Sequence, residues 1–256
     1  MGARNQHGFT IIEVMLFIAV SGILAVALLT GWTTMLNTQR YNDSVKTLQS
    51  FLQQQYNLVY NVENGRSKDF VCSDSSVVTP DASSGVDRGQ TDCVMMGRYI
   101  HIDRGLNVRV YAIVGSEPAT SDDDDPAISD IDSIVSYQPK RTSEALGLTE
   151  TELKIPWEAI ITDSDDGATP QSVVIVVIRS PSTGTVHTYT RLTGDDQLPD
   201  VVGADGLVAV ANEQTDVPLC LDPGAPFSGG QRGVIIKRNA SSQSSIQTTD
   251  NGEDVC

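Results

Sequence analysis

The sequence predicts an α+β fold in which one long N-terminal helix packs on a mostly antiparallel β domain. Three observations predict it. Residues 9–29 read F-T-I-I-E-V-M-L-F-I-A-V-S-G-I-L-A-V-A-L-L, an apolar run whose single charged side chain is Glu13. Apolar residues then recur at Tyr41, Val45, Leu48, Leu52, Tyr56 and Val59, which places them on one face of a helix. After Gly65 the apolar period shortens toward two, the pattern of strands.

The apolar run is long enough to cross a bilayer, because a helix needs roughly 20 residues to span the hydrocarbon. Three fates compete for it: an uncut anchor, a secretory signal, and a segment trimmed ahead of the run. Ala25, Val26 and Ala27 form an A-x-A site that would release a chain starting at Leu28. Against a discarded signal stand the length of the run, the single basic residue Arg4 ahead of it, and Glu13 inside it. A carboxylate in a membrane helix costs a few kcal/mol on insertion scales, so one that is present has a partner or a task.

The row from Gly8 onward, G-F-T-I-I-E-V-M-L, resembles the start of a type IV prepilin. That family carries a short hydrophilic leader ending in Gly, an apolar first residue, and Glu four positions further on within an apolar helix. Here those features are residues 1–8, Phe9 and Glu13. The resemblance implies cleavage by a membrane-embedded prepilin peptidase between Gly8 and Phe9, with methylation of the new Phe9 amine. It also implies a fold, the pilin-like arrangement of a helix and a β head. Many bacterial pilins carry Pro where this chain has Thr30, so Gly22 and Gly31 are the positions where this helix would loosen.

The residues themselves point the same way. Gly8 offers a protease an unhindered backbone. After cleavage, a positive amine at Phe9 and the Glu13 carboxylate lie on one helix face, four residues apart. When subunits stack with an axial offset, the amine of one helix can instead meet Glu13 of its neighbour, in a low dielectric where an unpaired charge is penalised. Glu13 merely snorkelling to the headgroups is the bland alternative.

Beyond the membrane run, Arg40, Asp43, Lys46, Gln49, Gln53 and Asn57 occupy the face opposite the apolar stripe. The stripe is expected to pack on the protein's own β domain, and the helix to end by Asn61, ahead of Asn64-Gly65. The organisation is therefore a leader (1–8), a membrane or filament-core helix (9–29), its amphipathic continuation (30–64) and a β-rich head (65–256). Within the head, 99–103 and 108–114 flank a turn and form a hairpin. Further strands are expected at 134–137, 153–161, 173–179, 186–191, 207–211, 217–221 and 234–238. The loop 180–184 should close a second hairpin, and 143–148 could form a short helix.

Acidic loops at 121–126 and 162–167 suggest calcium, but the second has Gly167 where a calcium loop needs Asp or Asn, and no Glu follows at the required distance. No metal site and no cofactor are expected. The four cysteines, Cys72, Cys93, Cys220 and Cys256, lack zinc spacing. In an exported domain local closure is expected, Cys72 with Cys93 and Cys220 with Cys256, with crossed pairing or reduced thiols as the alternatives. A loop bounded by cysteines near the C-terminus also resembles many pilins.

Composition narrows the function. The 256 residues hold 17 Lys and Arg against 33 Asp and Glu, a net charge of −16. That balance disfavours nucleic acid as a partner unless Arg232, Lys237 and Arg238 form a local patch. Catalytic motifs are missing: there is no G-x-S-x-G, P-loop or H-E-x-x-H, and His101 and His187 lie on expected strands. No enzyme is expected. The reading is a structural subunit of a type IV pilus-like filament; the alternatives are a tip minor pilin acting as an adhesin or uptake module, and a secretion-system pseudopilin. The resemblance implies as partners prepilin peptidase, other pilin subunits and an inner-membrane assembly platform. It implies a single-pass membrane protein, in contact with lipid, that moves into an extracellular filament.

Overall fold

Helix α1 (Ile11–Tyr60) is 50 residues long and runs unbroken through Gly22 and Gly31. The structure is a computed structural model describing residues 10–61, 94–116, 129–142, 151–164, 167, 169–193, 198–203, 205–208, 215–224, 231–249 and 256, with the backbone alone of 70–72, 78–80 and 93. No proline interrupts α1, and Thr10 caps its start. At the other end the Asn61 amide donates to Asn57 O at 2.9 Å.

The two halves of α1 differ because their sequences differ. From Ile11 to Leu36 the large apolar side chains are exposed. From Tyr41 onward the predicted stripe, Tyr41, Val45, Leu48, Leu52, Tyr56 and Val59, is buried together with Phe51. The stripe therefore packs on the protein's own head, in line with the amphipathic pattern. Two polar residues on that face, Ser44 and Gln55, are also buried, and each, like the Tyr41 hydroxyl, has a bond. Ser44 donates to Pro156 O at 2.8 Å, Gln55 accepts from the buried Arg98 at 2.5 Å, and the Tyr41 hydroxyl donates to Leu221 O at 2.8 Å.

The head has β1 (Phe70–Cys72), β2 (Val78–Pro80), β3 (Cys93–Asp103), β4 (Asn107–Ser116), β5 (Lys140–Arg141), β6 (Glu152–Lys154), β7 (Ile160–Thr162), β8 (Ser172–Arg179), β9 (Val186–Thr193), β10 (Val217–Asp222), β11 (Arg232–Ile236) and β12 (Ile246–Thr248). One antiparallel sheet runs β5-β4-β3-β8-β9, with β6 also on the outer edge of β4. A smaller antiparallel sheet runs β12-β11-β10-β7, and β1 pairs with β2. The α1 stripe packs on both sheets, meeting Ile100, Val173 and Ile175 of the first and Leu219, Val234 and Ile246 of the second in one core. The expected α+β pilin-like arrangement is thus the observed one.

Strand β8 reads S-V-V-I-V-V-I-R, apolar without alternation, because both its faces are covered. Val173, Ile175 and Val177 face α1. Val174, Val176 and Ile178 face a second core roofed by Ile134, Tyr137, Val201 and Leu207. Both expected hairpins form, β3–β4 and β8–β9. In the first turn Gly105 has φ +71°, and a Cβ there would lie 2.2 Å from Ile161 O, so the turn leans on β7 through the residue that permits it.

Three expectations change. The strand expected at 134–137 is instead the end of helix α2 (Asp130–Ser136), with Tyr137 as its C-cap. Ser129 accepts from the Asp132 amide at 3.2 Å, so S-D-I-D was a cap signal that outweighed the apolar doublet Ile134-Val135. The strand expected at 153–161 is split: β6 joins the large sheet and β7 the small one, with a short 3-10 turn at Pro156–Glu158 between them. Pro156 has no N–H to donate, and Trp157 and Glu158 take φ of 60° and 56°, which turns the chain from one sheet to the other. Leu207 and Val208 are not strand; their amides donate to Asp200 O and Val201 O at 3.0 and 2.9 Å, and 209–211 lie outside the described residues. The unforeseen β12 pairs with β11. The possible helix at 143–148 also lies outside the described residues.

Cys220, on the central strand β10, is bonded to Cys256, 36 positions away. The side chains of Cys72 and Cys93 lie outside the described residues. Closing a loop of this length restricts the unfolded chain, so Cys256→Ser is expected to cost about 3–4 kcal/mol in urea unfolding of the detergent-solubilised protein. An unchanged midpoint would show that the bond contributes nothing to the fold.

Candidate assembly segment

The segment starts where the chain enters α1. Thr10 has extended backbone angles, φ −74° and ψ 150°, and its Oγ1 accepts from the Glu13 amide at 3.4 Å. The Glu13 side chain reaches back in return. Its Oε2 accepts from the Thr10 amide at 3.0 Å and from the Thr10 hydroxyl at 3.1 Å. This reciprocal pair is a capping box, and it satisfies donors that a helix N-terminus otherwise leaves orphaned. It aims the carboxylate toward the start of the chain, where the helix dipole also favours negative charge. Gly8 and Phe9 lie outside the described residues.

From Ile11 to Leu36 the outward surface is almost wholly apolar. Phe17, Ile23, Leu28 and Trp32 are each about 70% exposed, so nothing among the described residues covers them. The threonines that follow hide their hydroxyls in the helix: Thr30 donates to Ala27 O at 3.0 Å, Thr33 to Thr30 O at 2.9 Å, and Thr34 to Thr30 O at 3.1 Å. Glu13 and Ser21 are the polar exceptions. Among the described residues, α1 is the one helix long and apolar enough to cross a membrane.

The head shows what the other flagged residues do. Lys237 pairs with Asp216 at 3.1 Å, and the Arg232 guanidinium hydrogen-bonds Asn42 of α1, so those cations are engaged within the fold. His101 lies on β3 and His187 on β9. Asp130, which was not singled out from sequence, clasps α2 to the β8–β9 hairpin. Its carboxylate accepts from Ser180 at 3.0 Å and Thr183 at 2.7 Å and lies 3.2 Å from His187 Nε2. Among the described residues no three His, Cys, Asp or Glu side chains are grouped to hold a metal ion.

The clasp has a pH signature. Burial alone would raise the Asp130 carboxyl, but hydrogen bonds from Thr183, His187 and Ser180 outweigh it and hold the group below its ordinary value of 3.8. A carboxyl lowered in the fold stabilises it fully above the ordinary value, and that contribution is lost as acid titrates the folded form. Asp130→Ala is expected to cost about 1 kcal/mol at neutral pH and to remove this part of the acid sensitivity below pH ~4. Parallel acid unfolding curves for the two proteins would refute the clasp.

A helix of this length, with an uncovered apolar half and a β head packed on the other half, is a pilin-like arrangement. Residues 3–29 match the model of the prokaryotic N-terminal methylation motif. The motif supports a type IV prepilin or pilin-like protein with a class III signal. No curated protein and no solved structure matches the chain.

Proposed function

We propose that the protein is a structural subunit of a type IV pilus-like filament. Prepilin peptidase cuts after Gly8, the Phe9 amine is methylated, and the chain rests in the membrane through 9–29 until the assembly platform moves it into the filament. The amphipathic stretch 30–64 carries the head, 65–256, outward. The observation that carries this reading is the uncovered apolar half of α1, whose single charge lies beside the N-terminus, within a methylation motif. Such a surface is stable only against lipid or against other helices like itself.

In the filament core, packing among Ile, Leu, Val and Ala supplies contact, and the Phe9 amine of one helix meets Glu13 of the next. The Thr10 bonds to Glu13 hold the carboxylate ready while the helix is still single. The role is structural, as the motif's family is, and needs no cofactor.

Intact mass and N-terminal sequencing of the membrane-extracted native protein test the reading. N-methylated Phe9 is the expected start. A start at Leu28 would mean that the apolar run is a discarded signal, and an intact Met1 would leave a plain anchor; either overturns the proposal.

A further inference from the structure

The base of the head carries an exposed tryptophan that the fold holds at some cost. Trp157 is 52% exposed, and both it and Glu158 take left-handed backbone conformations that side chains other than glycine disfavour. The indole is nevertheless fixed. Its Nε1–H donates to Asp43 at 3.0 Å, and the Arg40 guanidinium sits 4.8 Å from the ring. Trp157 and Arg40, together with Asn37, Glu158 and Pro223, line an open cleft of about 290 Å³ where the head meets α1. Nothing among the described residues covers it.

The length of the apolar helix says what lies beneath this cleft. Because the hydroxyls of Thr30, Thr33 and Thr34 are bonded to carbonyls one turn back, the apolar surface continues to Leu36 rather than stopping at Leu29. From Ile11 to Leu36 the helix is about 38 Å long, against about 30 Å of hydrocarbon. A helix longer than the hydrocarbon tilts or sinks until its apolar surface is covered. That draws Leu36 to the edge of the hydrocarbon and puts Arg40, one turn further and about 6 Å up the axis, in the headgroup layer. Ser44, bonded to Pro156, ties the base of the head to this level.

We propose that, before assembly, the base of the head rests on the bilayer surface, with Trp157 and Arg40 among zwitterionic phospholipid headgroups. The inference depends on the membrane half of the function proposed above. An indole with an apolar body and a polar edge suits that layer, and a guanidinium suits a phosphate. The exposed Asp43 and Glu158 beside them set the choice of lipid, since both would repel a strongly anionic surface.

The chain has two tryptophans, so Trp32→Phe leaves Trp157 as the sole indole. The test uses the full-length Trp32→Phe chain in phosphatidylcholine vesicles, with a nitroxide either on the headgroup or deep in the acyl chain. Trp157 emission is expected to be largely lost to the headgroup nitroxide, little changed by the deep one, and poorly reached by aqueous iodide. The Trp32 signal, taken as wild type minus Trp32→Phe, reports insertion independently. If Trp32 is quenched by lipid nitroxide while Trp157 stays open to iodide, docking fails and the membrane reading stands. If neither indole senses the lipid, both fail. Protection of Trp157 only after filaments form would assign the surface to a second copy and overturn the proposal.

Discussion

Glu13→Ala is expected to abolish incorporation into filaments while leaving the chain in the membrane and the head folded. The residue lies far from both cores, so its removal creates no cavity. Its local role is the capping box, worth about 1 kcal/mol, which a membrane helix of this length can lose. In the proposed filament the variant lacks the one carboxylate of the apolar half, so an incoming Phe9 amine would have no partner in a low-dielectric core. Glu13→Gln separates the two roles, because Gln can cap a helix but carries no charge. Filament yield, measured by shearing and electron microscopy, should fall to background for both variants. Normal yield of Glu13→Gln would make the cap, not the charge, the determinant, and normal yield of Glu13→Ala would sink the register idea altogether.

Leu48→Ala and Leu16→Ala should have opposite consequences although both lie on one helix. Leu48 is completely buried where α1 meets both sheets, so truncation leaves a cavity among well-packed neighbours. The expected loss is about 3–5 kcal/mol in urea unfolding of the detergent-solubilised protein. Leu16 is largely exposed and lies outside both described cores, so the same change should leave that transition within about 0.5 kcal/mol of wild type. Its effect belongs instead to membrane partition and helix association. A large shift from Leu16→Ala, or none from Leu48→Ala, would contradict this division of α1.

That division was readable because helical periodicity is local. Six stripe positions followed from spacing alone, and all six are buried. The methylation motif was equally legible, being a contiguous string from Gly8 to Glu13. The reciprocal bonds between Thr10 and Glu13 are also written locally, since T-I-I-E is the pattern of a capping box. Where local signals conflicted, reading the sequence failed. Ile134-Val135 suited a strand until Ser129 and the acidic first turn are weighed, and 153–161 suited one strand until Pro156 is given its due.

By itself, the sequence determined the long helix, its change from uniformly apolar to striped, the main hairpins and the charge placed beside the N-terminus. All are properties of neighbours along the chain, expressed through period and turn chemistry. The tertiary structure alone decided that one stripe packs on two sheets, that Ser44 and Gln55 belong to its buried face, and that Asp130 joins α2 to a hairpin 50 residues later. It also decided that Trp157 faces outward at the base of the head. Those pairings join residues far apart in sequence, so a polar side chain that reads as surface is buried once its hydrogen-bond partner is folded against it.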